Sequence, residues 1–298
     1  MPGGSGLGST SLGLVAAAAW GGGDFTGGLA ARRASPYVTI TLAHGLSLAV
    51  LIAVAVLSHA VIPGPRSLLL GLLAGAVAGF SVALFYEALS VGKMGLSAAI
   101  AGLLSAAIPV AVSFLTEGLP KPAQIAGFLV AGLAIWLIAS APGGGTHPRG
   151  LGLATLAGIG FGVYFVLLKM AGESGVAWPL AFCRIGSTTL AASVWGFQAL
   201  ARRRGPEPVV GQAGSDEASL WTPAFAGLVV GTSLLDTGGN LFYTLATRVG
   251  RMDVAAVVSS LYPAGTILLA VWLLKERTTR AQTLGMLLAL GAVVLIAL

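Results

Sequence analysis

Apolar residues run along this chain in blocks of about 20, separated by short polar breaks, which is the length needed to cross a hydrocarbon layer roughly 30 Å thick. Ten blocks are counted, at residues 12–31, 37–57, 67–89, 96–116, 122–139, 150–170, 178–200, 221–247, 254–274 and 281–298. In lipid only a helix or a closed barrel satisfies every backbone N–H and C=O, and these blocks lack the alternation of barrel strands. The pattern therefore predicts an all-α membrane protein of ten transmembrane helices. The first block has no basic residue before it, so it reads as a span and not as a cleaved signal.

Composition agrees. Apolar residues make up 56% of the chain and charged residues 9%, with a mean hydropathy of +0.92; soluble domains hold roughly 45–50% and 25%. The 44 glycines include Gly71/Gly75/Gly79, Gly158/Gly162 and Gly227/Gly231, spacings that leave small faces for close helix approach. A net charge of +6 would suggest nucleic acid in a soluble protein. Here the basic residues lie at helix ends and in loops, where they set topology, and no nucleic-acid partner is expected. The single cysteine, Cys183, allows no internal disulfide and offers no metal-ligand spacing. No phosphate-binding loop, dinucleotide fingerprint or zinc-protease motif occurs. His44 could pair with a helix serine in a protease, but nothing marks that serine. The chain reads as no enzyme, with no cofactor and no metal.

Two stretches recur. LFYEALSVGKM (84–94) is answered by LFYTLATRVGRM (241–252), and GLPKPAQIAG (118–127) by RTTRAQTLG (277–285), each of the latter pair just after a glutamate, Glu117 or Glu276. The chain divides accordingly into repeats at residues 1–142 and 143–298, joined by the Pro/Gly-rich segment 141–149; the polar segment 202–219 reads as a solvent loop. Five spans per repeat is an odd number, so the two repeats lie in opposite directions. Such inverted repeats bind substrate near the midplane and rock to expose it to alternate sides. Pro109 and Pro263 fall inside the fourth and ninth spans and are expected to kink both. Of the 16 Lys and Arg, five fall on one side of the membrane and ten on the other, with Arg184 inside a span; this bias places both termini outside the cytoplasm.

The ten-span pattern in two repeats, together with SSLYPAGTILLAVWLLKERTTRAQTLGMLLALGAVVLIAL at residues 259–298, resembles the EamA-like transporters of the drug/metabolite transporter superfamily. The resemblance implies secondary transport of small metabolites or drugs, often export, in the cytoplasmic membrane. It also implies cytoplasmic termini, against the loop charges. A monomer and a homodimer are both open.

Chemistry must come from polar groups inside the apolar spans, because a charge there is costly unless it pairs or meets water. Asp24 lies in AAAAWGGGDFTGGLA, Arg184 in PLAFCRIGS and Asp236 in GTSLLDTGGNLFY. By the family resemblance, the helices that carry them line one central cavity. A shift of 140 residues sets His44 on Arg184, an imidazole on a permanent cation. Arg184 offers a planar fork to a substrate carboxylate or phosphate, or pairs with Asp24 or Asp236. A carboxyl group left without a full partner can carry a proton; alternatively Asp236 bonds only its backbone and Asn240. The glycines around Asp24 permit a broken helix or simple close packing. His44 is a second proton site or a hydrogen-bonded side chain. Trp20, Tyr86 and Tyr164, with Phe161 and Tyr243, form an aromatic wall or ordinary packing, and Asn240 is placed to bond a substrate. Glu117 and Glu276 read as caps of the helix that follows each, or as partners of Lys121, Lys275 or Arg277. The reading that results is a proton-coupled exporter working by alternating access on a small-molecule substrate within the lipid bilayer. The alternatives are a flippase for a phosphate-bearing lipid and an accessory membrane subunit.

Overall fold

A computed structural model describes residues 4–91, 94–139, 148–204, 222–274 and 279–298. These form eleven helices and no strand: α1 (Gly4–Ala31), α2 (Pro36–Leu57), α3 (Pro65–Val91), α4 (Met94–Thr116), α5 (Pro122–Ala139), α6 (Pro148–Gly172), α7 (Ala177–Arg204), α8 (Pro223–Val249), α9 (Met252–Ser259), α10 (Tyr262–Leu274) and α11 (Arg280–Ala297). Five of them begin at a proline, whose ring presets the helical φ where no backbone donor is needed. Ser35 and Thr222 complete two of these starts by accepting from Val38 N and Phe225 N.

Ten spans were expected, and each apolar block holds helix. The ninth block does so in two pieces. After Ser259 the chain leaves the α-helix for two residues and resumes at Tyr262; Leu261 N donates to Val258 O in a tightened turn. Pro263, which lacks an N–H and would crowd the carbonyl four residues back, accounts for the break. Pro109 has no such effect: α4 runs through it uninterrupted. The two prolines thus differ: only the second interrupts its helix.

Among the described residues α2, α3 and α6 are long and apolar enough to cross a membrane on those two criteria alone. The glycines and the polar residues Asp24, Arg184, Asp236 and Asn240 hold α1, α7 and α8 below that standard. Burial is inverted relative to a soluble protein. Large apolar side chains such as Leu57, Leu129, Phe197, Leu234 and Trp272 are exposed, while alanine, serine and glycine fill much of the interior. Small residues at helix contacts are what lipid favours, since packing and not water exclusion drives helix association there.

The principal contacts join α1 to α8, α3 to α6, α5 to α11, α3 to α7, α4 to α6 and α2 to α7, with α1 also lying against α9 and α10. Exchanging the first five spans for the last five maps α1–α8 onto α6–α3, and α4–α6 onto the contact of α9 and α10 with α1. Glycines set the closest approaches. On α3 a Cβ at Gly75 would fall 1.8 Å from the carbonyl oxygen of Cys183, and one at Gly71 2.6 Å from that of Pro179, both on α7. Gly158 and Gly162 likewise meet Ala101 and Ile108 of α4. Gly227 meets nothing within 4 Å, so the expected small face on α8 is not used at that position. The central core is an aromatic stack of Trp20, Phe165 and Tyr243, with ring centroids 5.1 Å and 4.6 Å apart along it.

Candidate functional site

A cavity, part of it open to the outside, lies where seven spans and the start of α10 converge. Trp20 and Asp24 reach it from α1, His44 from α2, Ala78 and Val82 from α3, Ser105 from α4, and Phe161, Tyr164 and Phe165 from α6. Arg184 comes from α7, Asp236 and Asn240 from α8, and Tyr262 from α10. Seven of the eight residues singled out in the sequence are thus brought together. The eighth, Tyr86, does not line the cavity: it is buried, and its hydroxyl fits against α1 at Gly27, the space that a side chain at Gly27 would occupy.

Asp236 is the electrostatic centre. Its Oδ2 lies 2.7 Å from Arg184 Nη2 and 3.2 Å from His44 Nε2. Arg184 is 2% exposed, so this carboxylate is the anion that a buried guanidinium requires. Of the two partners open to Arg184, the structure selects Asp236 over Asp24. The other imidazole nitrogen, His44 Nδ1, lies 2.8 Å from Ser187 Oγ, one turn along α7 from Arg184. The two ring nitrogens face Asp236 and Ser187, the first without an aligned hydrogen bond, and the tautomer decides which of them carries the proton when His44 is neutral. The two positions that the sequence shift superposed, His44 and Arg184, thus meet at one carboxylate oxygen. Arg184 makes no aligned hydrogen bond to any described residue, and the short contact to Asp236 is an ion pair without good N–H alignment.

Asn240 does not bond to Asp236. Its Oδ1 accepts from Tyr164 Oη at 2.6 Å and from Trp20 Nε1 at 3.1 Å. The indole N–H can only donate, so the amide oxygen is held toward α1 and α6. Asp24 is half-buried on the cavity wall and has no ion pair or hydrogen bond with any described residue. The glycines before it do not break α1, which is continuous from Gly4 to Ala31. They permit close packing: a Cβ at Gly21 would meet Tyr262 O at 2.7 Å, and one at Gly23 would meet Asp236 N at 3.3 Å. Thr266 of α10 also donates to Gly21 O.

Sequence reasoning passed over Ser187, Ser105, Phe165 and Tyr262. Tyr262 is buried and its hydroxyl has no hydrogen-bond partner among the described residues; the available signal was a tyrosine directly before the proline of a span. Glu117 caps not the helix that follows it but a distant one: its Oε2 accepts from Met252 N at the start of α9, and its Oε1 pairs with Lys169 at 3.3 Å, not with Lys121. Lys93, Lys275, Glu276 and Arg277 lie outside the described residues, as does most of the segment 202–219. Among the described residues no cluster of His, Cys, Asp or Glu could hold a metal ion, and Cys183 is buried behind Gly75.

Comparison with known proteins adds two findings. The model of the EamA-like transporter family matches residues 148–298. A solved structure, described only as a crystal structure of protein, shares the fold with a TM-score of 0.72 at 20% identity, over 97% of this chain and 98% of its own. No curated protein matches.

Proposed function

The chain belongs to the EamA-like transporter family, membrane transporters of the drug/metabolite transporter superfamily, and from that premise we propose a proton-coupled exporter of small metabolites or drugs working by alternating access. The observation that carries this reading is the charge balance of the cavity. With His44 neutral, Arg184 offsets Asp236 and leaves Asp24 as one unbalanced carboxylate in a low-dielectric wall. A buried site one positive charge short takes up a cation, and the proton is the smallest. Asp24 is the proton site in this scheme, and Arg184, held but not saturated by Asp236, binds an anionic or acceptor group of the substrate. Trp20, Phe161 and Tyr164 supply the apolar surface that an organic molecule needs.

The contacts that exchange under a swap of the two halves support two inverted repeats, 1–142 and 143–298, as the bodies that rock. The place of action is the cytoplasmic membrane, with both termini in the cytoplasm. The test is pH-gradient-driven flux in proteoliposomes of the purified protein, screened against pools of amino acids, nucleosides and cationic dyes. Saturable flux that disappears in a folded Asp24→Asn variant supports the scheme. Flux that keeps its pH dependence in that variant removes the proton from Asp24, and the absence of flux for every pool turns the reading toward a flippase or an accessory subunit.

A further inference from the structure

A second polar cluster lies outside the cavity, at one end of the helix bundle. Three turns meet there: α4 to α5, α6 to α7 and α8 to α9. Arg251, from the last of these, donates from Nη1 to Glu117 O at 3.0 Å and from Nη2 to Gly118 O at 2.7 Å, the carbonyls just past the end of α4. Those carbonyls have lost their intrahelical donors, and Gly118 turns the chain there with a φ of 78°, a left-handed conformation that glycine adopts without strain. In return the Glu117 carboxylate accepts from Met252 N, an orphan donor at the start of α9, and pairs with Lys169 near the end of α6. Arg248, at the end of α8, donates to Gly172 O of the α6–α7 turn.

Each bond between Arg251, Met252 or Lys169 and the α4–α5 turn joins the second five-span set to the first. Arg251 is different toward Asp253: that carboxylate is fully buried, holds the guanidinium through Nε and Nη2, and belongs to the same short turn. If the two sets separate, Arg251 keeps its counter-ion and gives up the two carbonyls and a long contact to Ser113 Oγ at 3.5 Å, which water can then satisfy. The cross-set bonds of Arg251 can thus break without leaving the buried Asp253 or the guanidinium unpaired. From this cluster back to the cavity the distance follows from the helical rise: about 18 Å along α4 from Glu117 to Ser105, and about 15 Å along α9 and its break from Met252 to Tyr262. At cavity depth the same helices touch again, Ser105 Oγ to Ser260 Oγ at 3.0 Å.

We propose that this Arg251–Glu117 clasp is the gate that holds the α4–α9 seam shut between the cavity and that end of the molecule, and that it must release for the cavity to open there. The proposal rests on the alternating-access reading above. Its test uses neither a substrate nor a proton gradient, so the two can fail separately. The reporter is Val82→Cys, on the cavity wall, in a Cys183→Ala background that has no other thiol. In proteoliposomes it is challenged from each side with a sulfonated, membrane-impermeant maleimide, and Leu119→Cys, in the exposed turn beside Gly118, marks the clasp side in a parallel sample. With the clasp intact, Val82→Cys reacts slowly from that side. Arg251→Gln raises this rate about tenfold or more, the change expected from losing one charge-assisted bond, while Arg251→Lys restores part of the protection. Glu117→Gln keeps an acceptor for Met252 N, loses the Lys169 pair and gives a smaller rise. A clasp-side rate that is unchanged in folded Arg251→Gln overturns the gate, as does a parent protein already labelled equally from both sides. Should Arg251→Gln not fold, an unchanged rate in Glu117→Gln overturns it.

Discussion

Asp24→Asn and Asp236→Asn remove the same charge from the same cavity, yet the structure assigns them opposite costs. Asp236 faces Arg184 at 2.7 Å. Two unit charges at that distance attract by about 6 kcal/mol at an effective dielectric constant of 20. Desolvation has already consumed part of this, but replacing only the carboxylate leaves the guanidinium buried and charged, since arginine does not deprotonate in proteins. Breaking such a pair by removing one partner costs about 3–5 kcal/mol. Asp24 has no partner among the described residues to lose, so its amide relieves a buried charge and is expected to be neutral or mildly stabilising. Thermal unfolding of the purified protein in detergent, followed by far-ultraviolet circular dichroism, separates the two: a fall of roughly 6 °C or more for Asp236→Asn and none for Asp24→Asn. The double variant Arg184→Met/Asp236→Leu removes the orphaned charge and is expected to recover much of the loss. A stable Asp236→Asn, or a double variant no better than it, would refute the assignment of Asp236 as the obligatory anion of Arg184.

The remaining expectations follow from packing and hydrogen bonding. Gly75→Ala drives a methyl group to 1.8 Å from the backbone oxygen of Cys183, so α3 and α7 must separate; a loss of about 1–3 kcal/mol or more is expected, and flux falls because Arg184 is the next residue along α7. Asn240→Leu strands the Trp20 N–H and the Tyr164 hydroxyl, at about 1–3 kcal/mol each, whereas Asn240→Asp keeps both acceptor contacts and should unfold nearer the parent temperature. Equal stability of those two variants would show that the amide oxygen is not what holds the two rings.

How much of this was legible in the chain differs element by element. The helical spans were, because lipid denies the backbone any partner outside its own helix and so writes each crossing as an apolar block. Asp24, Arg184 and Asp236 were legible as site candidates for a related reason: a charge in such a block is expensive enough to be noticed singly. The α3 glycines that admit α7 could be read from their spacing alone. Pairing could not. Trp20 and Asn240 lie 220 positions apart, and Ser47 and Ser233 lie 186 apart; no local periodicity records which distant helix a side chain will face. Only the packed bundle decided that Arg184 takes Asp236 and not Asp24, that His44 joins the same carboxylate, that Tyr86 turns away from the cavity, and that Glu117 caps α9 across the molecule. The break before Pro263 and the continuity through Pro109 belong there too, since a freed carbonyl is tolerated or not according to the neighbours that surround it.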